Sequence, residues 1–252
     1  MKKALYLKEL NTVQVEALLQ REAPLFIPFG TLEPHGRHLP VGTDTLCAEK
    51  VAEEVSIAFD GVVAPSFEYG LTNVFLQTAP SSFFPVDLYR TFIEHIVKNF
   101  YKHGFKKIVI INGHGGNQEA LKYILRNITR EAPMALTIIN WWIYASKFVE
   151  EVYDTKPGGH AAVEETAAIL YSRPELATKE NYDSDTDDCV PTDAFWMFPP
   201  TGEVLLEEEG QGRPCFDKDK ADIYMKKVID GIEARLRKWF SSFARLGGGL
   251  RP

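Results

Sequence analysis

Four short apolar runs restrict this chain more than any other feature: PLFIPFG (24–30), GVVAPS (61–66), KKIVIING (106–113) and MALTIIN (134–140). They are dense in Ile, Val and Phe, with no polar residue at every second place, so they read as strands buried on both faces, which is the pattern of a parallel sheet covered by helices. The stretches between them supply those helices. TLCAEKVAEEVSIAF (45–59), VDLYRTFIEHIVKNFYKHG (86–104) and NQEALKYILRNITREA (117–132) carry apolar residues at spacings of three and four. The alternation predicts an α/β fold, a mostly parallel sheet with helices on both faces. One domain spans 1–252, with no internal repeat. An irregular excursion at 179–215, acidic and then rich in proline and aromatics, precedes a C-terminal helix at 217–243.

A second feature lies where the first strand ends. TLEPHGRHLPVGTD (31–44) puts Glu33, His35, His38 and Asp44 among Pro34, Gly36, Pro40 and Gly42, so the segment can be neither a regular helix nor a regular strand. His114, in INGHGGN, follows the strand at 107–112 in the same way. In open α/β sheets ligands bind beyond the carboxyl ends of the strands, and two distant loops therefore converge on one sheet edge. Imidazole and carboxylate without thiolate suit Zn²⁺, Mn²⁺ or Fe²⁺, and a carboxylate shared by two ions about 3.5 Å apart builds a two-metal site. Glu33 and His35 are alternate residues; both reach such a site only if the chain bends at Pro34 and Gly36, or if each serves a different ion. Asp44 alone could equally be a helix N-cap.

A third piece is KPGGHAAVEETAAILYS (156–172), where His160 stands in a glycine-led approach to a helix. Helical spacing pairs His160 with Glu164, but if His160 lies before the helix either Glu164 or Glu165 can face the site. Both glutamates also fit a charged first helical turn. Trp141 and Trp142, directly after the strand at 134–140, either wall a planar substrate or pack in the core or between subunits.

Composition narrows the partners. The net charge is −7 and the basic residues are spread along the chain, which excludes a nucleic-acid footprint and an anionic-membrane patch and leaves a small-molecule substrate. Three scattered cysteines, Cys47, Cys189 and Cys215, form no disulfide framework and no thiolate zinc site. No run approaches a membrane span, and MKKALYLKELNT lacks a signal-peptide core; the expectation is a cytoplasmic protein.

EPHGRHLPVGTD resembles the E-x-H-G-x-H-L-P-x-x-T-D signature of the creatininase (creatinine amidohydrolase) family, INGHGGN resembles its N-G-H-G-G-N, and HAAVEET is similar to its H-A-G-x-x-E-T-S. The three occur in the same order and at comparable separations over roughly residues 20–175, with YGLTN (69–73) and FFPVD (83–87) where the family has comparable segments. The resemblance implies a three-layer, Rossmann-like or flavodoxin-like α/β/α fold and a homohexamer. It also implies two divalent ions per chain, Zn²⁺ foremost with Mn²⁺ or Fe²⁺ as options, and hydrolysis of a small cyclic or linear amide by a metal-bridging water. Carried over, Asp44 bridges the ions, Glu33 and His114 hold one, His35 holds the other, and His160 binds substrate or shuttles a proton. Creatinine-hydrolysing members have Tyr and then a Glu ligand after the His114 equivalent, where this chain has Gly115 and Gly116, so the resemblance assigns the missing ligand to Glu165. A ring-opening hydrolase of a cyclic keto-polyol and a non-catalytic metal-binding subunit are the alternative functions. The aromatic segment AFWMFPP (194–200) is expected to be buried between subunits.

Overall fold

The computed structural model describes residues 2–72, 74–132, 134–190 and 197–245. Helix α1 (Thr12–Gln20) starts at a capping box in which Asn11 and Gln14 exchange side-chain and backbone hydrogen bonds. Then follow β1 (Leu25–Phe29), α2 (Thr43–Ala58), β2 (Val62–Val63), α3 (Val86–Lys102), β3 (Lys107–Asn112), α4 (Gln118–Glu131) and β4 (Ala135–Asn140). The strands form one parallel sheet in the order β2-β1-β3-β4, with Leu25 opposite Ile108 and Lys107 opposite Ala135. Pro28 sits inside central strand β1. Its carbonyl accepts from Phe67 N on the side where β2 has already ended, so the N–H that proline lacks is missing from a flank with no continuous strand.

Period-two alternation divides the strand side chains between two cores. Phe26, Val109 and Ile111 face α2 and two later helices, α7 (Val163–Ser172) and α8 (Lys218–Arg245). Leu25, Ile27, Phe29, Ile108 and Ile110 face α3 and α4 through Ile93, Val97, Leu121 and Ile124. This is the expected α/β/α layering, and the C-terminal helix runs two residues further than the periodicity alone suggests.

Between β4 and α7 lie two short helices, α5 (Trp141–Ala145) and α6 (Val149–Tyr153), and strand β5 (Gly159–His160). The excursion at 179–215 is not irregular throughout, as its composition suggested. It contributes β6 (Asp187–Cys189) and β7 (Val204–Leu206), and β7 pairs antiparallel with β5, setting His160 opposite Leu205. Residues 194–196 of the aromatic segment lie outside the described residues; Met197 and Phe198 are exposed on this chain. Among the described residues, no helix is long and apolar enough to cross a membrane.

Candidate metal centre

The ends of β1 and β3 touch the start of α2. A Cβ on Gly113 would lie 2.1 Å from the Asp44 carbonyl oxygen, so only glycine lets this helix approach the sheet edge so closely. Asp44 is not the cap of that helix. Gly42 occupies the N-cap position with no side-chain capping bond, and Asp44 sits in the first turn with its carboxylate turned into the protein, 2% exposed.

Around it the structure brings together every candidate ligand. Asp44 Oδ1 accepts from His35 Nε2 at 2.9 Å, and Asp44 Oδ2 lies 2.9 Å from His114 Nδ1. Glu165 Oε2 is 3.6 Å from His35 Nε2, and Glu33 Oε1 is 3.3 Å from His114 Nδ1. Two sets of donor atoms thus share Asp44: Glu33, Asp44 and His114 on one side, His35, Asp44 and Glu165 on the other, the atoms of each set within 4.8 Å of one another. Glu33 and His35 belong to different sets, and the chain bends between Pro34 and Gly36, which has φ +62°. The donor atoms of a third triplet, Glu33, His35 and His160, also lie within 4.8 Å of one another.

Three imidazoles are oriented alike. His35 Nδ1 donates to the Glu33 carbonyl at 3.1 Å, His114 Nε2 to the Leu71 carbonyl at 3.2 Å, and His160 Nε2 to the Pro34 carbonyl at 2.8 Å. A carbonyl can only accept, so in each ring the nitrogen facing it carries a proton and the other nitrogen is aimed at the carboxylates, the arrangement that orients metal-ligating histidines. Asp44 Oδ2, although close to His114 Nδ1, is not aligned for a hydrogen bond and has no such partner among the described residues. A buried carboxylate oxygen and a ring nitrogen that face a common point without bonding each other fit a cation between them.

Electrostatics agrees with that reading. Burial disfavours charge on His35, yet Asp44 and Glu165 hold its pKa well above the ordinary value; Glu33 and Asp44 do the same for His114. Burial opposes ionisation of Asp44 and Glu33 as well, and the imidazoles beside them still keep both below the usual carboxylate range. Protons on two imidazoles thus supply positive charge beside the buried Asp44 and Glu33. His160 differs: burial and the charge on His35 lower its pKa.

Glu164 and Glu165, adjacent in α7, diverge. Glu165 accepts from Ala161 N at 2.7 Å and faces His35, whereas Glu164 turns away and accepts from Gly158 N at 3.2 Å, its carboxyl pushed up to about 8 by burial. Helical spacing from His160 fails because His160 is in β5, before the helix. The turn between them passes through Ala161, which holds φ +57°, uncommon for a residue with a side chain. His38 clamps this turn by donating Nε2–H to the Ala161 carbonyl at 3.0 Å, and burial pushes its pKa down to about 4.

The second glycine after His114 has a definite reason. A Cβ on Gly116 would lie 2.2 Å from the Leu71 carbonyl oxygen and 2.6 Å from His114 Nε2, so no side chain fits there without breaking the bond that orients His114. Asn117 completes that arrangement by accepting from Leu71 N at 3.0 Å and donating to the Gly30 carbonyl at 3.2 Å.

Two further findings concern the aromatics. Trp141 is fully buried in the core beside α7 and α8, and Trp142 packs against the same core, so Trp141 does not wall the site. The ring at the site is Phe75, which stacks on His160 at 4.4 Å while His35 lies 4.4 Å from the same imidazole. Nothing in the pattern around Phe75 marks it in the sequence, apart from its place just after YGLTN.

The profile of the creatininase family, creatinine amidohydrolase, matches residues 8–215. The creatinine amidohydrolase of Pseudomonas putida is 23% identical over 264 residues, 95% of this chain and 99% of that protein. A mycofactocin precursor peptide peptidase of Mycolicibacterium smegmatis is 32% identical over 160 residues, which cover 60% of this chain and 58% of the peptidase. A solved manganese form of creatininase has the same fold, with TM-score 0.82 at 20% identity over 94% of this chain and 99% of that one. A Zn–Zn form carrying a glutamate-to-glutamine substitution gives the same TM-score. With the family profile spanning most of its length, the chain belongs to the creatininase family of metal-dependent amidohydrolases.

Proposed function

We propose that residues 1–252 act as one domain that holds two divalent ions and hydrolyses a small cyclic or linear amide. The observation that carries this is the placement of Asp44, whose two oxygens face two different histidines, each completed by a further glutamate. Glu33 and His114 would hold one ion, His35 and Glu165 the other, and Asp44 both. The set of oxygen and imidazole donors suits Zn²⁺ or Mn²⁺. When bound, the ions supply Lewis-acid polarisation of the amide carbonyl and a nucleophilic water at neutral pH.

The rest of the chemistry belongs to the chain. His160 is anchored through Nε2–H on Pro34, its Nδ1 lies 3.6 Å from Glu33, and its lowered pKa leaves Nδ1 unprotonated near neutral pH. It can take up the proton released as water adds to the carbonyl and deliver it to the leaving nitrogen. Phe75 stacks on the His160 ring, which also contacts the His35 ring, and the two neighbours restrict its rotation. Gly116 excludes the ligand that creatinine hydrolysis would use, which favours a different amide. The free cysteines suit a reducing compartment such as the cytoplasm. Exposed Tyr69, Leu88, Phe92 and Phe198 suit burial between subunits of a homohexamer.

The test is metal content followed by turnover on a panel of cyclic amides, formamides and short peptides. His160→Ala is expected to keep two ions per chain while turnover falls by about a hundredfold to ten-thousandfold. Loss of an ion would make His160 a ligand, and full activity would remove it from the chemistry.

A further inference from the structure

The sheet has an open edge at β4. Strand β4 pairs with β3 on one side, and its other edge has no strand partner among the described residues. Beside that edge runs a groove of about 700 Å³ between β4, α5 and α8. Its apolar part includes Ile139, Leu236, Trp239 and Ile143, the last 52% exposed. Its charged residues are Lys147, Arg235 and Lys238, and no acidic residue lines it. None of the three cations makes an ion pair among the described residues; Lys147 lies over the Tyr144 ring at 3.7 Å. On a chain of net charge −7, three unpaired cations around one apolar groove form a local field opposite in sign to the whole.

We propose that this groove receives an extended acidic peptide segment of a partner protein, added to the edge of β4. An open strand edge offers unpaired backbone donors and acceptors, and an added strand satisfies them in a ladder. Apolar side chains of that strand meet Ile143, Leu236 and Trp239, while its carboxylates reach Lys147, Arg235 and Lys238. Charge selects this occupant over a second copy of the chain, because two-fold pairing of β4 edges would set two clusters of three cations against each other.

The probe is a fluorescein-labelled hexapeptide of alternating Glu and Val, read by anisotropy with the full chain, against an alternating Lys and Val control. The Glu peptide is expected to bind at least tenfold more tightly. Binding should fall at least tenfold in the Arg235→Glu/Lys238→Glu variant, whose two positions are exposed on α8 and leave the core untouched. N-methylation of the peptide along one of its two edges should abolish binding, whereas methylation along the other edge should not. Equal binding of Glu and Lys peptides, or indifference to N-methylation on both edges, overturns the proposal. So does an oligomer, sized by light scattering, that Ile143→Glu dissociates, because the groove would then be filled by a second copy.

Discussion

Asp44→Asn distinguishes a metal bridge from a helix-terminal charge. A carboxamide has one oxygen and one NH₂ group; whichever way it turns, one set of donors receives N–H groups where the carboxylate offered a lone pair, and the other loses a full negative charge. Both ions are therefore expected to be lost. An ion present at a hundred times its dissociation constant stabilises the folded chain by about 2.7 kcal/mol, so two contribute about 5 kcal/mol. For a chain of this size about 1 kcal/mol moves Tm by ~2–4 °C. Chelation should accordingly lower the Tm of the parent protein by ~10–20 °C, and that of Asp44→Asn by almost nothing. If Asp44 served only the helix dipole, its charge would be worth ~0.3–1 kcal/mol, metal content would be unchanged, and chelation would shift both proteins alike. Elemental analysis and a thermal melt with and without chelator decide between them. Two ions per chain in the purified variant would refute the bridge.

Glu165→Gln should lose one ion preferentially, whereas Glu164→Gln should keep both. Burial holds the Glu164 carboxyl near 8 in the folded chain against ~4.3 unfolded, so the folded state keeps a proton that the unfolded state releases, and stability falls as pH rises from about 4.5 through 8. The Glu164→Gln variant should consequently match the parent near pH 4 and exceed it at pH 9 by up to about 5 kcal/mol in a denaturant titration. Gly116→Ala, whose Cβ would meet Leu71 and His114, should cost ~1–3 kcal/mol and weaken metal binding, and Gly116→Glu should not rescue Glu165→Gln. Because His35 and His114 are held protonated without cations, metal uptake near pH 7 should release protons and affinity should rise with pH; calorimetry in buffers of different ionisation enthalpy measures this, and uptake without proton release would contradict it.

The parallel sheet was legible because strands buried on both faces retain no polar residue at alternate positions: LFIPF is apolar throughout, and KIVIIN is apolar between Lys107 and Asn112. The candidate ligands were legible for the opposite reason. Glu33, His35 and His114 are polar residues at strand ends flanked by Gly and Pro, where a purely structural loop has no need of imidazole. Asp44 was ambiguous because an acid in a first helical turn also satisfies the helix dipole, and only its inward rotamer separates the two roles. Residue types alone could not choose between Glu164 and Glu165; the choice follows from the left-handed turn at Ala161, a backbone conformation that alanine does not advertise. Strands β6 and β7 escaped notice because three residues are too few to show a period. Trp141 is apolar and follows a strand whether it faces a pocket or the core.

What the excursion adds is mechanical. His160 has no rigid long element beneath it: two residues of β5, a glycine before and a left-handed alanine after. Its position is fixed by contacts from outside its own segment. Leu205 of β7 pairs with it, Gly212 accepts from Val163 N at 3.0 Å, Glu207 N donates to the Gly158 carbonyl at 2.9 Å, and His38 holds Ala161. The candidate ligands in the loops after β1 and β3 and in α2 are, by contrast, set at the edge of the main sheet. The candidate centre is thus built from the main layers, which carry Glu33, His35, Asp44, His114 and, through α7, Glu165, and from the small sheet, which carries His160; the two meet where His160 bonds Pro34. Sequence change in the excursion can therefore move His160 relative to the candidate ligands, Glu165 on α7 included, without disturbing the main sheet, which gives a shared fold a physical route to different amides.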